Sequence, residues 1–153
     1  QSVTFVCTSS VNLALSKSAS QSSDYANAYP VRAVDGNTDG IWSSSSCTHT
    51  DQTTNPWWRG DLGSSQHVSE VFIVNRVEVG YRLSNIEIRV GDSLADNGNL
   101  NPRCGGLYSM ANSLKASFYC KPRKTGRYVN IRLMGSRMFL TLCEVEVYSE
   151  SRG

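Results

Sequence analysis

No apolar run in the 153 residues approaches the roughly 18 that a membrane-spanning helix requires, so membrane insertion is not expected. The opening QSVTFVCTSS also lacks the basic-then-apolar order of a signal peptide, and Gln1 reads as a processed terminus. Charge is scarce: Asp, Glu, Lys and Arg make up 18% of the chain and the formal net charge is +2. Neither nucleic acid nor a charged lipid surface is therefore the expected partner, since both are recognised through a strong field of one sign. Catalytic signatures are missing as well. There is no HExxH, no GxSxG, no Gly-rich phosphate loop and no CxxC pair. Cys47-Thr-His49 is the one grouping that invites a thiol-protease reading. A nucleophilic cysteine needs a depressed pKa and freedom from disulfides, however, and an oxidised five-cysteine chain offers neither. The sequence reads as a binding protein and not as an enzyme.

A long helical period is absent too, and alternation of period two takes its place. Ile86, Ile88 and Val90 share one face of NIEIRVGD, and Val129, Ile131 and Leu133 share one face of GRYVNIRLMG. LTLCEVEVYS places Cys143, Val145 and Val147 inward and Glu144 and Glu146 outward, while EVFIVN, Glu70 to Asn75, is apolar enough for a strand covered on both sides. Turn-forming stretches such as DGNTDG and ADNGNLNPRCGG separate these runs. The fold class is all-β, a jelly-roll β-sandwich. Residues 9–150 are expected to form the domain, preceded by an extension over 1–8 and followed by a tail over 151–153. There is no internal repeat and no Asn-x-Ser/Thr glycosylation site.

Cys7, Cys47, Cys104, Cys120 and Cys143 are widely spaced, which favours disulfides and a secreted, extracellular protein. Five is odd, and Cys7, outside the domain, is the natural residue to pair with another chain. The stretch NPWWRGDLG contains RGD, the tripeptide that integrins read from flexible loops. As a strand it sends Trp57, Arg59 and Asp61 to one face and Trp58, Gly60 and Leu62 to the other, so the tripeptide cannot splay toward a receptor. Adjacent tryptophans also belong in packed structure more often than in mobile loops.

Taken in order, NLALSKSASQSS, AVDGNTDG, SCTH, NPWWRGDLG, NRVEVGYRLS and LCEVEVY resemble the F-type lectin (fucolectin) domain over about Val11 to Tyr148. The resemblance implies a galactose-binding-domain-like jelly roll that binds terminal α-L-fucose on glycans. His49 and Arg76, 27 positions apart, match the family's sugar motif. Glu78 stands where the motif has Asp, Arg82 comes one residue early, and Val79-Gly80 replaces a vicinal cysteine pair. Guanidinium forks and an imidazole offer directed hydrogen bonds to sugar hydroxyls from a small area. Glu78 is expected to hold the two arginines apart and oriented, and Trp42 and Tyr25 to wall the 6-deoxy methyl group. NPWW-R-x-DL resembles a family framework strand with Gly60 at a variable place.

The same resemblance implies a structural Ca2+ held by Asp35, Asn37, Ser46 and Glu144 with carbonyl oxygens from Arg32 and Cys143, a number of hard oxygens that suits this ion. It also implies disulfides Cys47–Cys143 and Cys104–Cys120, leaving Cys7 unpaired within the domain. A single shallow sugar site is weak, so avidity is expected from several copies, as homo-oligomers or tandem domains. The rival reading is a discoidin-like adhesion module that binds a protein or lipid through its loops.

Overall fold

The computed structural model describes residues 10–111 and 113–152. The extension over 1–8, and Cys7 with it, lies outside the described residues. Among the described residues five strands form, all paired antiparallel: β1 (Ser18–Gln21), β2 (Trp57–Val74), β3 (Ile86–Gly91), β4 (Lys115–Leu133) and β5 (Glu144–Tyr148). The order runs β1-β2-β4-β3, with β5 on the second half of β2. The two long strands hold the molecule together. Residues Trp58–Asp61 of β2 lie between β1 and β4, and Glu70–Val74 lie between β4 and β5. Register shifts between Asp61 and Gln66 and again between Val68 and Glu70 separate the halves. Bulges of this kind bend a strand, so each long strand serves both layers of the sandwich. The expected jelly roll is the observed fold.

Alternation places the core as the sequence predicts. Ile86, Ile88, Val90, Val129, Ile131 and Leu133 are all buried and pack with Val71, Ile73, Val145 and Val147 in one cluster. Trp58 and Leu62 join them from β2, while Trp57, Arg59 and Asp61 take the outer face. There Arg59 lies over the rings of Trp57 and Tyr128 and donates to the Asn97 carbonyl at 2.8 Å. Asp61 accepts two hydrogen bonds from the Arg127 guanidinium at 2.7 and 3.0 Å. RGD is thus built into the centre of a sheet with both charged side chains engaged.

Gly60 is more than a variable filler. A Cβ built on it would come within 2.9 Å of the Trp58 ring, which folds along the same face of the strand. Trp58 in turn donates its indole N–H to the Pro30 carbonyl at 3.0 Å. The glycine therefore makes room for the tryptophan that carries the loop after β1.

One inside-outside expectation fails. Glu144, expected outward beside Glu146, is fully buried. The outer face of β5 is covered by the 3₁₀ turn Pro30–Val34 and the loop that follows it, whose Gly36 N–H donates to Glu144 Oε2 at 2.7 Å. The disulfides Cys47–Cys143 and Cys104–Cys120 are both present. The first closes a separation of 96 residues, a constraint on the unfolded chain of about 4.7 kcal/mol in the loop-entropy treatment.

Candidate functional site

The segment carrying His49 runs beside 140–143 and is laced to it. Thr48 N–H donates to the Leu142 carbonyl at 2.8 Å and Thr50 N–H to that of Leu140 at 3.0 Å. In return the Leu142 and Leu140 amides donate to the Thr48 and Thr50 hydroxyls, each at 3.0 Å. The threonine hydroxyls thus do what strand carbonyls do in a ladder, and the Cys47–Cys143 bridge closes the end. His49 sits between two stitched residues and has little freedom.

Arg76 and Arg82 come from the turn after β2. Buried Asn75 organises it: its side-chain amide donates to the carbonyls of Gly80 at 3.0 Å and Ser113 at 3.2 Å, and its Oδ1 accepts the Arg76 N–H at 2.8 Å. Arg82 ends the 3₁₀ turn Gly80–Arg82. Despite its early position in the motif, it reaches the same cleft as His49 and Arg76. That cleft, of about 270 Å³, is lined by Tyr25, Trp42, His49, Arg76, Arg82 and Phe139. The stretch carrying Tyr25 is pinned by the Tyr25 N–H on the His49 carbonyl at 3.0 Å and by Gln21 Nε2 on the Ala28 carbonyl at 2.9 Å.

Aromatic rings surround the imidazole. Tyr25, Trp42 and Phe139 lie with ring centroids 4.7, 5.2 and 5.3 Å from that of His49. Each arginine lies over one of the outer rings, Arg76 over Trp42 and Arg82 over Phe139, both at 4.9 Å. A guanidinium stacked on a ring keeps its N–H edge free to donate in the ring plane's direction, which fixes the aim of the donors. Glu78 engages only one of the two arginines: Arg76 Nε donates to Oε2 at 3.1 Å, while Oε1 accepts the Trp42 N–H at 3.0 Å. It ties Arg76 to the Trp42 turn instead of separating Arg76 from Arg82.

The state of His49 follows from its bonds. Nδ1 lies 2.7 Å from the Thr50 carbonyl, which can only accept, so Nδ1 carries the proton. Burial pushes the imidazole below its ordinary pKa, and the charges of Arg76 and Arg82 push the same way. The ring is neutral at pH 7 and its Nε2 is an acceptor. The cleft therefore combines two fixed cations that donate with one neutral group that accepts.

Phe139 escaped the sequence reading, because in SRMFLTLC it looks like one more core residue of the run toward β5. Its only signal is its place just ahead of the stretch that pairs with Thr48 and Thr50.

Of the six residues expected around Ca2+, Arg32 lies in the 3₁₀ turn Pro30–Val34 with Asp35 and Asn37 just after it, Ser46 precedes Cys47 of the Cys47–Cys143 bridge, and Glu144 follows Cys143 at the start of β5. Asp35 Oδ1 accepts the Asn37 N–H at 2.9 Å, Asn37 Oδ1 the Asp39 N–H at 3.0 Å, and Asp39 Oδ1 the Ile41 N–H at 2.9 Å. Buried Ser46 donates to the Asp39 carbonyl, and Arg32 Nη1 donates to the Cys47 carbonyl at 3.3 Å. Glu144 is the misfit of this set. Its Oε1 is buried with no hydrogen-bond partner among the described residues, and burial, with Asp35 and Glu146 nearby, pushes the carboxyl up to about 8. An orphaned buried carboxylate oxygen beside a second carboxylate fits a hard cation ligand.

A jelly roll with a sugar-sized cleft among its end loops belongs to the galactose-binding-like class, and residues 32–131 match the model of the NedA-like, galactose-binding domain. The relatives narrow this. The chain is 41% identical over 142 residues to the fucolectin of Anguilla anguilla, covering 89% of each. Among solved structures it is similar to a fucolectin from the serum of striped bass, Morone saxatilis, with 45% identity and a TM-score of 0.86. That match covers 92% of this chain and 48% of the other, so this chain spans about half the bass lectin's length. The lectin domain of lectinolysin, solved with Lewis b antigen, is similar over 92% of this chain and 98% of that one, at 31% identity and a TM-score of 0.80. The chain belongs to the fucolectin family.

Proposed function

We propose that this chain is a secreted lectin that binds terminal α-L-fucose on glycans without performing catalysis. The observation that carries the reading is the cleft in which Arg76, Arg82 and neutral His49 meet between aromatic walls. A neutral pyranose presents hydroxyls that both donate and accept. Two guanidinium forks donate to oxygens on one side of the ring, and His49 Nε2 accepts a hydroxyl proton, so one axial hydroxyl is read from both directions. This demand on direction is what separates a galacto-configured sugar from its epimers. Tyr25, Trp42 and Phe139 supply apolar surface for the 6-deoxy methyl group and the ring C–H face. The bound glycan of the lectinolysin domain and the two internal disulfides support the ligand class and the extracellular setting.

Ca2+ belongs to the same proposal as a structural cofactor. Asp35, Asn37, Ser46 and Glu144, with the Arg32 and Cys143 carbonyls, would hold it, and bound there it would join the loop after β1 to β5 by oxygen ligation. Orphaned Glu144 Oε1 supports this assignment.

Calorimetric titration of L-fucose into the calcium-loaded protein, beside Arg76→Ala and a D-glucose control, tests the reading. Saturable binding of fucose alone, weakened at least tenfold in the variant, is expected, because a charged hydrogen bond lost from a site costs about 1.5–3 kcal/mol. No heat from fucose at high millimolar concentration would instead favour an adhesion module that binds through its loops.

A further inference from the structure

The outer face of the sheet formed by β2, β4 and β3 carries a group of arginines that the sugar cleft does not use. Strand pairing sets Trp57, Arg132 and Glu87 side by side in one row, and Arg59, Asn130, Arg89 and Arg103 in the next, the last through an isolated bridge to β3. Paired residues point to the same face of a sheet, so these side chains share one surface. Buried Glu87 lies among the arginines. Arg89 meets both of its oxygens, Nε donating to Oε1 at 2.7 Å and Nη2 to Oε2 at 3.3 Å. Arg132 Nη2 adds a bond to Oε1 at 2.9 Å, and Arg103 Nε stands 3.6 Å from Oε2. None of these residues lines the cleft of His49, Arg76 and Arg82.

One guanidinium fork already satisfies a buried carboxylate, so Arg132 and Arg103 exceed what folding requires. Three guanidiniums against one carboxylate leave an excess of two positive charges on this face. Arg89 and Arg103 are moreover directly opposed on neighbouring segments, which costs stability that Glu87 only partly restores. Arg132 Nε is buried without a partner among the described residues, and the guanidinium of Arg103, 39% exposed, donates to none of them. The geometry points to this face as a binding site for the sulfate esters of an acidic glycan, with Arg103 and Arg132 as its donors and Glu87 as the post that aims them. Planar guanidiniums match the oxygens of such groups in parallel pairs of hydrogen bonds. Arg59, 5.2 Å over the Trp57 ring, lies three strand spacings from Arg103, about 14 Å, so a chain bearing several anionic groups suits the row better than one small anion. The arginines are also fixed, since Arg89 and Arg59 donate to the Asn101 and Asn97 carbonyls at 2.6 and 2.8 Å. Fixed, recessed donors read a discrete group, whereas an anionic lipid surface is met by clusters of outward-reaching cations. The two disulfides favour an extracellular setting, which sets nucleic acid behind a sulfated glycan as the occupant.

The test titrates a heparin-derived tetrasaccharide, and the same tetrasaccharide after chemical desulfation, into wild type, Arg103→Glu and Lys115→Glu at low ionic strength. Lys115→Glu makes the same change of charge at an exposed residue in the other half of β4, where the strand pairs with Val74. Arg103→Gln, which removes the charge without adding one beside Glu87, gives a second reading of the same position. Wild type is expected to bind the sulfated tetrasaccharide and not the desulfated one. Arg103→Glu is expected to weaken that binding at least tenfold, about the effect of one charged hydrogen bond, and Lys115→Glu by less than about threefold, because distant charges are screened. No binding by wild type, equal binding of the desulfated sugar, or equal weakening in the Arg103 and Lys115 variants overturns the site. Equally tight binding of inorganic sulfate alone, or of a single-stranded oligonucleotide of matching charge, overturns the glycan as its occupant. L-fucose titrated into the same proteins reads the cleft separately, so either site can fail while the other stands.

Discussion

At the scale of single residues, the protonation of His49 decides what the cleft accepts. The imidazole is held below the ordinary 6.5 by burial and by Arg76 and Arg82. A lowered pKa means that the neutral, accepting form persists through neutral pH and is lost only on acidification beyond the usual histidine range. Fucose affinity measured from pH 8 downward is therefore expected to stay level through pH 6.5 and to fall below it, as Nε2 becomes a donor facing two cations. Loss of affinity that already begins above pH 7 would show that His49 is not the acceptor. Gly60 gives a second residue-scale prediction. Gly60→Val forces a Cβ against the Trp58 ring and should lower stability by about 1–3 kcal/mol, read as a shift in the urea midpoint, with fucose binding retained in the folded fraction.

The elements show which parts of the molecule the sequence discloses. Strands with one buried face declare themselves by alternation, and β3 and the second half of β4 were legible for that reason. Glu144 was not, because alternation describes the strand alone and says nothing of a loop laid over its outer face. The site had the same division. His49 and Arg76 were found through their spacing and family resemblance, whereas the role of Glu78 depended on where the Trp42 turn would come, and Phe139 had no pattern of its own. Buried Glu144 also yields a prediction for β5 and the loop that covers it. Calcium should raise the melting temperature of wild type, by a stabilisation of about 2.7 kcal/mol at a hundredfold excess over the dissociation constant. Glu144→Gln should match or exceed wild type in chelator, since it removes a carboxylate buried without a full set of partners, and should show no response to calcium. A calcium-dependent rise in the variant would place the ion elsewhere.

For the whole molecule, the closing contact lies at Arg152. Its guanidinium donates to Glu70 Oε2 at 2.8 Å and lies over Tyr148 at 3.8 Å, and its backbone N–H donates to Glu70 Oε1 at 2.9 Å. Burial alone would raise the Glu70 carboxyl, but Arg152 and Ser117 more than reverse this and hold it at about 2. A depressed carboxyl stabilises the fold above its unfolded value near 4.5 and loses that contribution as pH falls toward 2. Arg152→Ala should therefore cost about 2–3 kcal/mol at pH 7 and reduce the acid sensitivity between pH 4.5 and 2, in denaturation curves taken across that range. If both proteins lose stability in parallel on acidification, Glu70 does not carry the effect.

The threonine lacing of residues 47–50 to 140–143 also has a consequence for how such a protein diversifies. It secures His49 through segments that the rim does not share, whereas Tyr81 and Arg137 sit on turns between secured points. Substitutions on those turns can redraw which oligosaccharide is preferred without moving the imidazole beneath them. The fold is in this sense a chassis with a fixed socket and an exchangeable collar, and a library confined to residues 79–81 and 135–137 is the natural place to select new glycan preferences from it.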